Sequence, residues 1–153
     1  MRKLSAHAHD EPVGRYEDSL RALGGFLEAF SPSELEVLEC GKRYEVSWRP
    51  GTAEQTRFQN IDIHALRRLG PSLRMRSGAV PVVGTAELLG TIGSSLDQLW
   101  AEGLFLRQTE RGYSAVFRVG QSVTRLRWSR RDLVALAATA RSKRYPQESA
   151  LSA

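Results

Sequence analysis

The feature that most constrains this chain is an internal resemblance between its two halves. Shifting the sequence by 69 residues lays "GKRYEVSWRP" (41–50) on "ERGYSAVFRV" (110–119), and the match runs without a gap from Leu20/Leu89 to Arg49/Arg118. Leu20/Leu89, Gly24/Gly93, Leu27/Leu96, Leu35/Leu104, Tyr44/Tyr113 and Arg49/Arg118 are identical. Leu23/Ile92, Glu28/Asp97, Phe30/Leu99, Val37/Leu106, Lys42/Arg111 and Trp48/Phe117 are conservative. Two copies are too few for a solenoid, which needs at least about three units to bury its faces. They must therefore share one core or lean on each other as two halves.

Each copy reads as helix, three strands, helix. Tyr16, Leu20, Leu23, Leu27 and Phe30 fall at spacings of four and three, the stripe of an amphipathic helix that "SPS" (31–33) ends. "ELEVLEC", "RYEVSWR" and "QTRFQNI" alternate as strands, with "GK" turning the first hairpin. Asp62 is the expected N-cap of a short helix through "HALRRL", closed by Gly70 and Pro71. In the second copy Thr85 is the expected N-cap of a helix carrying Leu89, Ile92, Leu96 and Leu99 and closed by Gly103. Strands follow at "LFLRQT", "YSAVFRV" and "SVTRLRW", then a last helix opened by Ser129 with Asp132. The expected fold is α+β: tandem duplicated helix–three-strand–helix units forming antiparallel sheet or sheets, with helices packed on one face.

The expected boundaries are a disordered tail over 1–13, a first unit over 14–70, a connector over 71–84 with a short strand at "SLRMR", a second unit over 85–142, and a disordered tail over 143–153. The expected core contains Leu20, Leu23, Leu27, Tyr44, Val46, Trp48, Phe58, Leu89, Ile92, Leu96, Leu106, Tyr113, Phe117, Leu126, Trp128, Leu133 and Leu136. With 41% hydrophobic and 25% charged residues among 153, the composition is that of a soluble globular domain. No apolar stretch approaches the length of a secretory core or a membrane span, so a cytoplasmic protein without a membrane partner is expected. The one cysteine, Cys40, forms no intrachain disulfide.

Catalytic signatures are missing. "HAHD" (7–10) offers His7, His9 and Asp10 to a metal, but in a polar tail that does not preorient them. His64, at a helix start, is expected to be a partly buried structural residue. Cys40 stands beside Lys42 and Arg43, cations that would lower a thiol pKa, with no adjacent base. Gly84, Gly90 and Gly93 lack the phosphate-loop lysine and the dinucleotide spacing, and are read as helix-packing or turn positions. The chain is therefore expected to be non-enzymatic, with no cofactor and no metal.

Charge is more informative. The net charge of +5 gathers in the last third, where residues 101–153 hold 10 basic groups against 4 acidic ones. If Leu104, Leu106, Tyr113, Ala115, Phe117, Thr124, Leu126 and Trp128 point inward, a period of two sends Phe105, Arg107, Ser114, Val116, Arg118, Val123, Arg125 and Arg127 to the other face. Arg111 lies in the hairpin turn, and Arg130 and Arg131 open the following helix. The first copy mixes Glu36 and Glu45 with Arg43, Arg49 and Arg57 on the equivalent face. A DNA or RNA backbone bound by Arg107, Arg118, Arg125 and Arg127, helped by Arg130, Arg131 and a base-stacking Phe105, is the expected function. The alternative is a protein-interaction or assembly module, a homodimer among them, with no nucleic-acid role.

Two short resemblances point the same way. "SRRDLVALAATA" (129–140) is similar to the basic, Ala-rich opening of the second helix of double-stranded-RNA-binding domains. It covers that segment alone, and the family's first-helix and loop signatures are not visible, so no RNA-contacting residue is carried over. "TAELLGTIGSSLDQLWAEGLFLRQTERGYSAVFRV" looks like the helix–turn–helix–wing stretch of winged-helix regulators. Gly90 to Gly103 is a turn too short for two helices, and the repeat makes it one.

Overall fold

In a computed structural model, residues 15–51, 54–77 and 83–144 are described. Helix α1 (Arg15–Leu27) runs into a 3-10 turn (Glu28–Phe30), then β1 (Pro32–Cys40), β2 (Arg43–Pro50), β3 (Arg57–Asp62) and α2 (Ile63–Ser77). Helix α3 (Thr85–Gln98), β4 (Glu102–Gln108), β5 (Gly112–Val119), β6 (Ser122–Ser129) and α4 (Arg130–Arg144) complete it. The architecture is α+β, with four helices among the described residues and one six-stranded antiparallel sheet in the order β3-β2-β1-β4-β5-β6.

The helices bury one face of this sheet. Tyr16, Leu20, Leu23 and Leu27 of α1 and Leu89, Ile92 and Leu96 of α3 share a core with Leu35, Val37, Tyr44, Val46, Trp48, Leu104, Leu106, Tyr113 and Phe117. Helix α1 meets α3 through glycine: a Cβ on Gly24 would stand 2.7 Å from the Ala86 Cα, and one on Gly93 would strike the Tyr16 carbonyl. The buried Ser19 hydroxyl and Tyr44 phenol share a 2.7 Å hydrogen bond, which satisfies both inside the core.

The helix starts are capped from a distance. The Ala86 N–H donates to Glu28 Oε2 (2.9 Å), while the Tyr16 and Glu17 N–H groups donate to Asp97 Oδ1 (2.9 Å) and Oδ2 (3.0 Å). A carboxylate at or just past the end of each helix thus serves N–H groups of the other's first turn that have no partner within the helix. The expected cap Thr85 is instead the first helical residue; Gly84 precedes it and makes no side-chain cap bond. Asp62 and Ser129 cap as expected, accepting from the His64 and Ala65 N–H groups and from the Asp132 N–H.

The sheet joins at β1 and β4, through the pairs Glu36↔Arg107, Val37↔Leu106 and Leu38↔Phe105. Beyond these pairs both strands carry irregularities, at Ser33/Glu36 and at Glu102/Phe105, where Glu34 (φ 53) and Gly103 (φ 63) are left-handed. Leu35 N–H then donates to Gln108 Oε1 (3.1 Å) and Leu104 N–H to Glu39 Oε1 (3.0 Å), so side chains replace ladder carbonyls.

Gly70 and Pro71 do not close α2, which continues to Ser77 and absorbs the segment expected as a strand. Gly70 is buried, and a Cβ there would meet the Asp18 backbone at 2.5 Å, so this glycine serves close packing on α1 rather than a helix stop. Gly103 lies in β4, and the helix before it ends at Gln98. Phe58 is 78% exposed because it pairs with outward Ser47, and Leu136 is 45% exposed. Leu126 is half-buried, on an edge strand that the helices cover incompletely.

Candidate functional site

The second half of the sheet alternates as its sequence does. Leu104, Leu106, Tyr113, Ala115, Phe117 and Trp128 are buried, whereas Arg107, Arg118, Val123, Arg125 and Arg127 are exposed. Thr124 and Leu126, expected inward, are half-buried. The face opposite the helices therefore carries four arginines. Register sets their neighbours: Arg127 pairs with Ser114 and Ser114 with Arg107, while Arg125 pairs with Val116 and Val116 with Phe105. Arg107 and Arg127 are two strands apart, about 10 Å at the usual strand spacing. They also line, with Arg111 and Glu110, an open concavity at the end of the sheet.

Two site residues depart from the simple picture. Arg118 Nη2 lies 3.6 Å from Glu102 Oε1, its cross-strand partner, in a solvent-exposed pair that water and salt screen strongly. Phe105 is half-buried rather than standing free, because Leu38 and Val116 flank it in the same row. Arg130 and Arg131 are exposed on the first turn of α4, beyond the sheet edge.

The β1–β3 half of the open face differs in charge. Glu36 and Glu45 are exposed there, alternating with Leu38 and Ser47, and Phe58 adds an aromatic ring at the edge. Arg49 is held by Glu34 at 2.6 Å, and Arg43 stands opposite Asp62, whose carboxyl is lowered chiefly by the Ala65 N–H. Leu38, Glu36, Ser47, Phe58, Asn60 and Phe105 border a shallow depression at the middle of the sheet. Sequence reasoning missed this apolar element, because it assigned Phe58 to the core.

The remaining candidates carry little chemistry. His64 is exposed, not partly buried, and its backbone rather than its ring contributes to the Asp62 cap. It shares a hollow with Arg15, Glu39, Lys42 and Arg67. There Glu39 is already engaged, by the Tyr16 hydroxyl (2.5 Å), Arg15 Nη2 (2.6 Å) and the Leu104 N–H. Burial and then this bond push the Tyr16 phenol upward. The Cys40 thiol is raised, by desolvation first and then by Glu45, so Lys42 and Arg43 do not activate it. His7, His9 and Asp10 lie outside the described residues. Among the described residues no group of His, Cys, Asp and Glu is placed to hold a metal ion, and no helix is long and apolar enough to cross a membrane.

Comparison with known protein families, curated proteins and solved structures finds no match to this chain.

Proposed function

We propose that two copies of one helix–three-strand–helix unit were joined in tandem and diverged in charge, the second copy binding a nucleic-acid backbone through Arg107, Arg125 and Arg127. Arg118, Arg130 and Arg131 stand at the margin of that surface. Backbone details 69 residues apart support the duplication. The left-handed positions Ser31 and Trp100, Glu34 and Gly103, and Gly51 and Gly120 form such pairs. So do the capping carboxylates of Glu28 and Asp97, and the junction side chains of Glu39 and Gln108.

One observation carries the binding reading: three exposed arginines stand on strands whose inward neighbours already supply the core. Solvated strand charges add little to stability, typically under about 1 kcal/mol, so folding does not account for them. Guanidinium groups suit phosphate oxygens, which they can hold through two parallel hydrogen bonds.

Fluorescence anisotropy of labelled single-stranded and duplex oligonucleotides at low salt tests this. Three phosphate contacts give a slope of log affinity against log salt of about −2.7 on duplex and about −2 on single strands. Substituting Arg107, Arg125 and Arg127 together by Gln should abolish binding at unchanged melting temperature. Failure of the wild-type protein to bind any DNA or RNA at low salt refutes the reading. The alternative, an assembly module, is favoured by exposed Phe58 and Leu38, since phosphate contacts require no apolar surface.

A further inference from the structure

The open face is divided by charge in a way that a polyanion does not require. On the β1–β3 half Glu34, Glu36, Glu45 and Asp62 outnumber Arg43 and Arg49, since Arg57, expected on this face, pairs with inward Trp48; on the β4–β6 half Arg107, Arg118, Arg125 and Arg127 outnumber Glu102. Across their seam runs an apolar row, Leu38, Phe105 and Val116, from β1 through β4 into β5. Leu38 is 40% exposed, Phe105 and Val116 are half-buried beside it, and Phe58 and Val123 stand at 78% and 70% on the two edge strands. A negative half and a positive half thus share one open surface, with apolar side chains spanning their seam.

We infer that this face seats a second copy of the chain, related by a two-fold axis that lies between the two sheets and parallel to β1 and β4. That rotation lays each half of one sheet on the opposite half of the other, which makes the contact isologous and closed. The register then determines who meets whom. Leu38 lies over the second copy's Phe105, Glu36 over its Arg107, Phe58 over its Arg127, and Glu45 beside its Arg125 and Val116. Each contact occurs twice. Arg43 falls near the second copy's Arg118, but each of these has a carboxylate beside it, Asp62 and Glu102 respectively.

Area supports an interface of modest strength. Six strands about 4.8 Å apart, with about six residues of each in contact, cover roughly 600 Å² per copy and so about 1,200 Å² in total. That is the lower limit of specific, stable interfaces. A central apolar row ringed by complementary charge is also the usual anatomy of such contacts. The inference does not depend on nucleic-acid binding, but the second copy would cover Arg107 and Arg125, so the two occupants compete.

Sedimentation velocity of the full chain over a range of concentrations provides the test. The wild type should pass from monomer to dimer, with added salt favouring the monomer. Glu36→Arg with Glu45→Arg makes both halves basic, and Arg107→Glu with Arg125→Glu makes both acidic. Each double variant should sediment as a monomer where the wild type is dimeric, and an equimolar mixture of the two should form a heterodimer. The milder Leu38→Gln, checked by circular dichroism, should weaken association about tenfold, since it strikes the centre of the contact twice. A wild type that stays monomeric at every concentration overturns the inference, as do double variants that dimerise normally or a mixture that stays monomeric. Nucleic-acid affinity, measured on the same proteins, keeps the two readings apart. The Glu36/Glu45 variant should lose the dimer yet retain or strengthen that affinity, and the absence of nucleic-acid binding throughout would leave the dimer result untouched.

Discussion

Gly24 and Gly25 are adjacent in α1, yet replacing each by alanine should shift stability in opposite directions. In a helix interior alanine is favoured over glycine by about 1 kcal/mol, and that gain is available at both positions. The surroundings differ. A Cβ on Gly25 would meet the Leu73 Cδ1 at 3.0 Å, a methyl at the end of a rotatable side chain. A small rotation relieves that contact, so Gly25→Ala should stabilise by about 0.5–1 kcal/mol. A Cβ on Gly24 would stand 2.7 Å from the Ala86 Cα, 2.7 Å from the Thr85 carbonyl oxygen and 2.9 Å from the Ala86 nitrogen. Main chain cannot rotate away, so α1 and α3 must separate by about 1 Å to recover ordinary contact, weakening packing along the crossing. Overpacking of this kind costs about 1–3 kcal/mol or more, and the upper end applies because the Ala86 N–H bond to Glu28 is disturbed as well. Subtracting the propensity gain leaves Gly24→Ala about 2 kcal/mol less stable, a fall in melting temperature of about 4–8 °C for a chain of this size. Urea denaturation followed by circular dichroism measures both variants. Equal shifts, or a Gly24→Ala variant as stable as wild type, would refute the close helix contact.

Burial outweighs the two backbone hydrogen bonds at Asp97 and pushes its carboxyl up to about 6, above the ordinary value of 3.8. The folded state therefore holds this proton more tightly than the unfolded state does. The stability contributed is present at low pH and lost as pH rises through about 6, so Asp97→Asn should flatten the stability profile between about pH 4 and 7; an unchanged slope would contradict this. Phe117→Ala, at 1% exposure, should cost about 3–5 kcal/mol. Phe58→Ala, at 78%, should change stability by less than about 0.5 kcal/mol, and comparable losses on thermal melting would place Phe58 back in the core.

How much was legible in the sequence depended on how far each constraint reaches along the chain. The inward and outward residues of β4, β5 and β6 followed from period-two alternation, because short turns at 109–111 and 120–121 leave no freedom of register. Phe58 was misplaced because the longer connection between β2 and β3 does not fix parity, and a slip of one residue exchanges the two faces. Gly70 and Pro71 carry the local signal of a helix end, yet Gly70 answers to the Asp18 backbone across a helix crossing. The caps at α1 and α3 come from residues 80 and 58 positions away, which no local motif records. Arg107, Arg125 and Arg127 were legible as a face, whereas the Arg118 pairing with Glu102 required strand register.

Under the duplicated reading, the two faces of the sheet have diverged in different ways. Inward pairs kept their character: Leu35/Leu104, Val37/Leu106, Tyr44/Tyr113 and Trp48/Phe117 are all buried apolar or aromatic residues. Most outward pairs changed class, with Glu36/Phe105 exchanging acid for aromatic, Leu38/Arg107 apolar for cation, Glu45/Ser114 acid for hydroxyl and Ser47/Val116 hydroxyl for apolar, while Arg49/Arg118 stayed the same. Packing explains the first set, since volume and hydrophobicity are constrained in a close-packed interior. Solvation alone would have kept the second set polar in both halves, and it does not account for Leu38, Phe105 or Val116. A phosphate backbone would ask only the β4–β6 half to change. A surface closed on itself by a two-fold axis asks each half to complement the other rather than resemble it, and in the proposed dimer the changed residues would meet as Leu38 on Phe105 and Glu36 on Arg107.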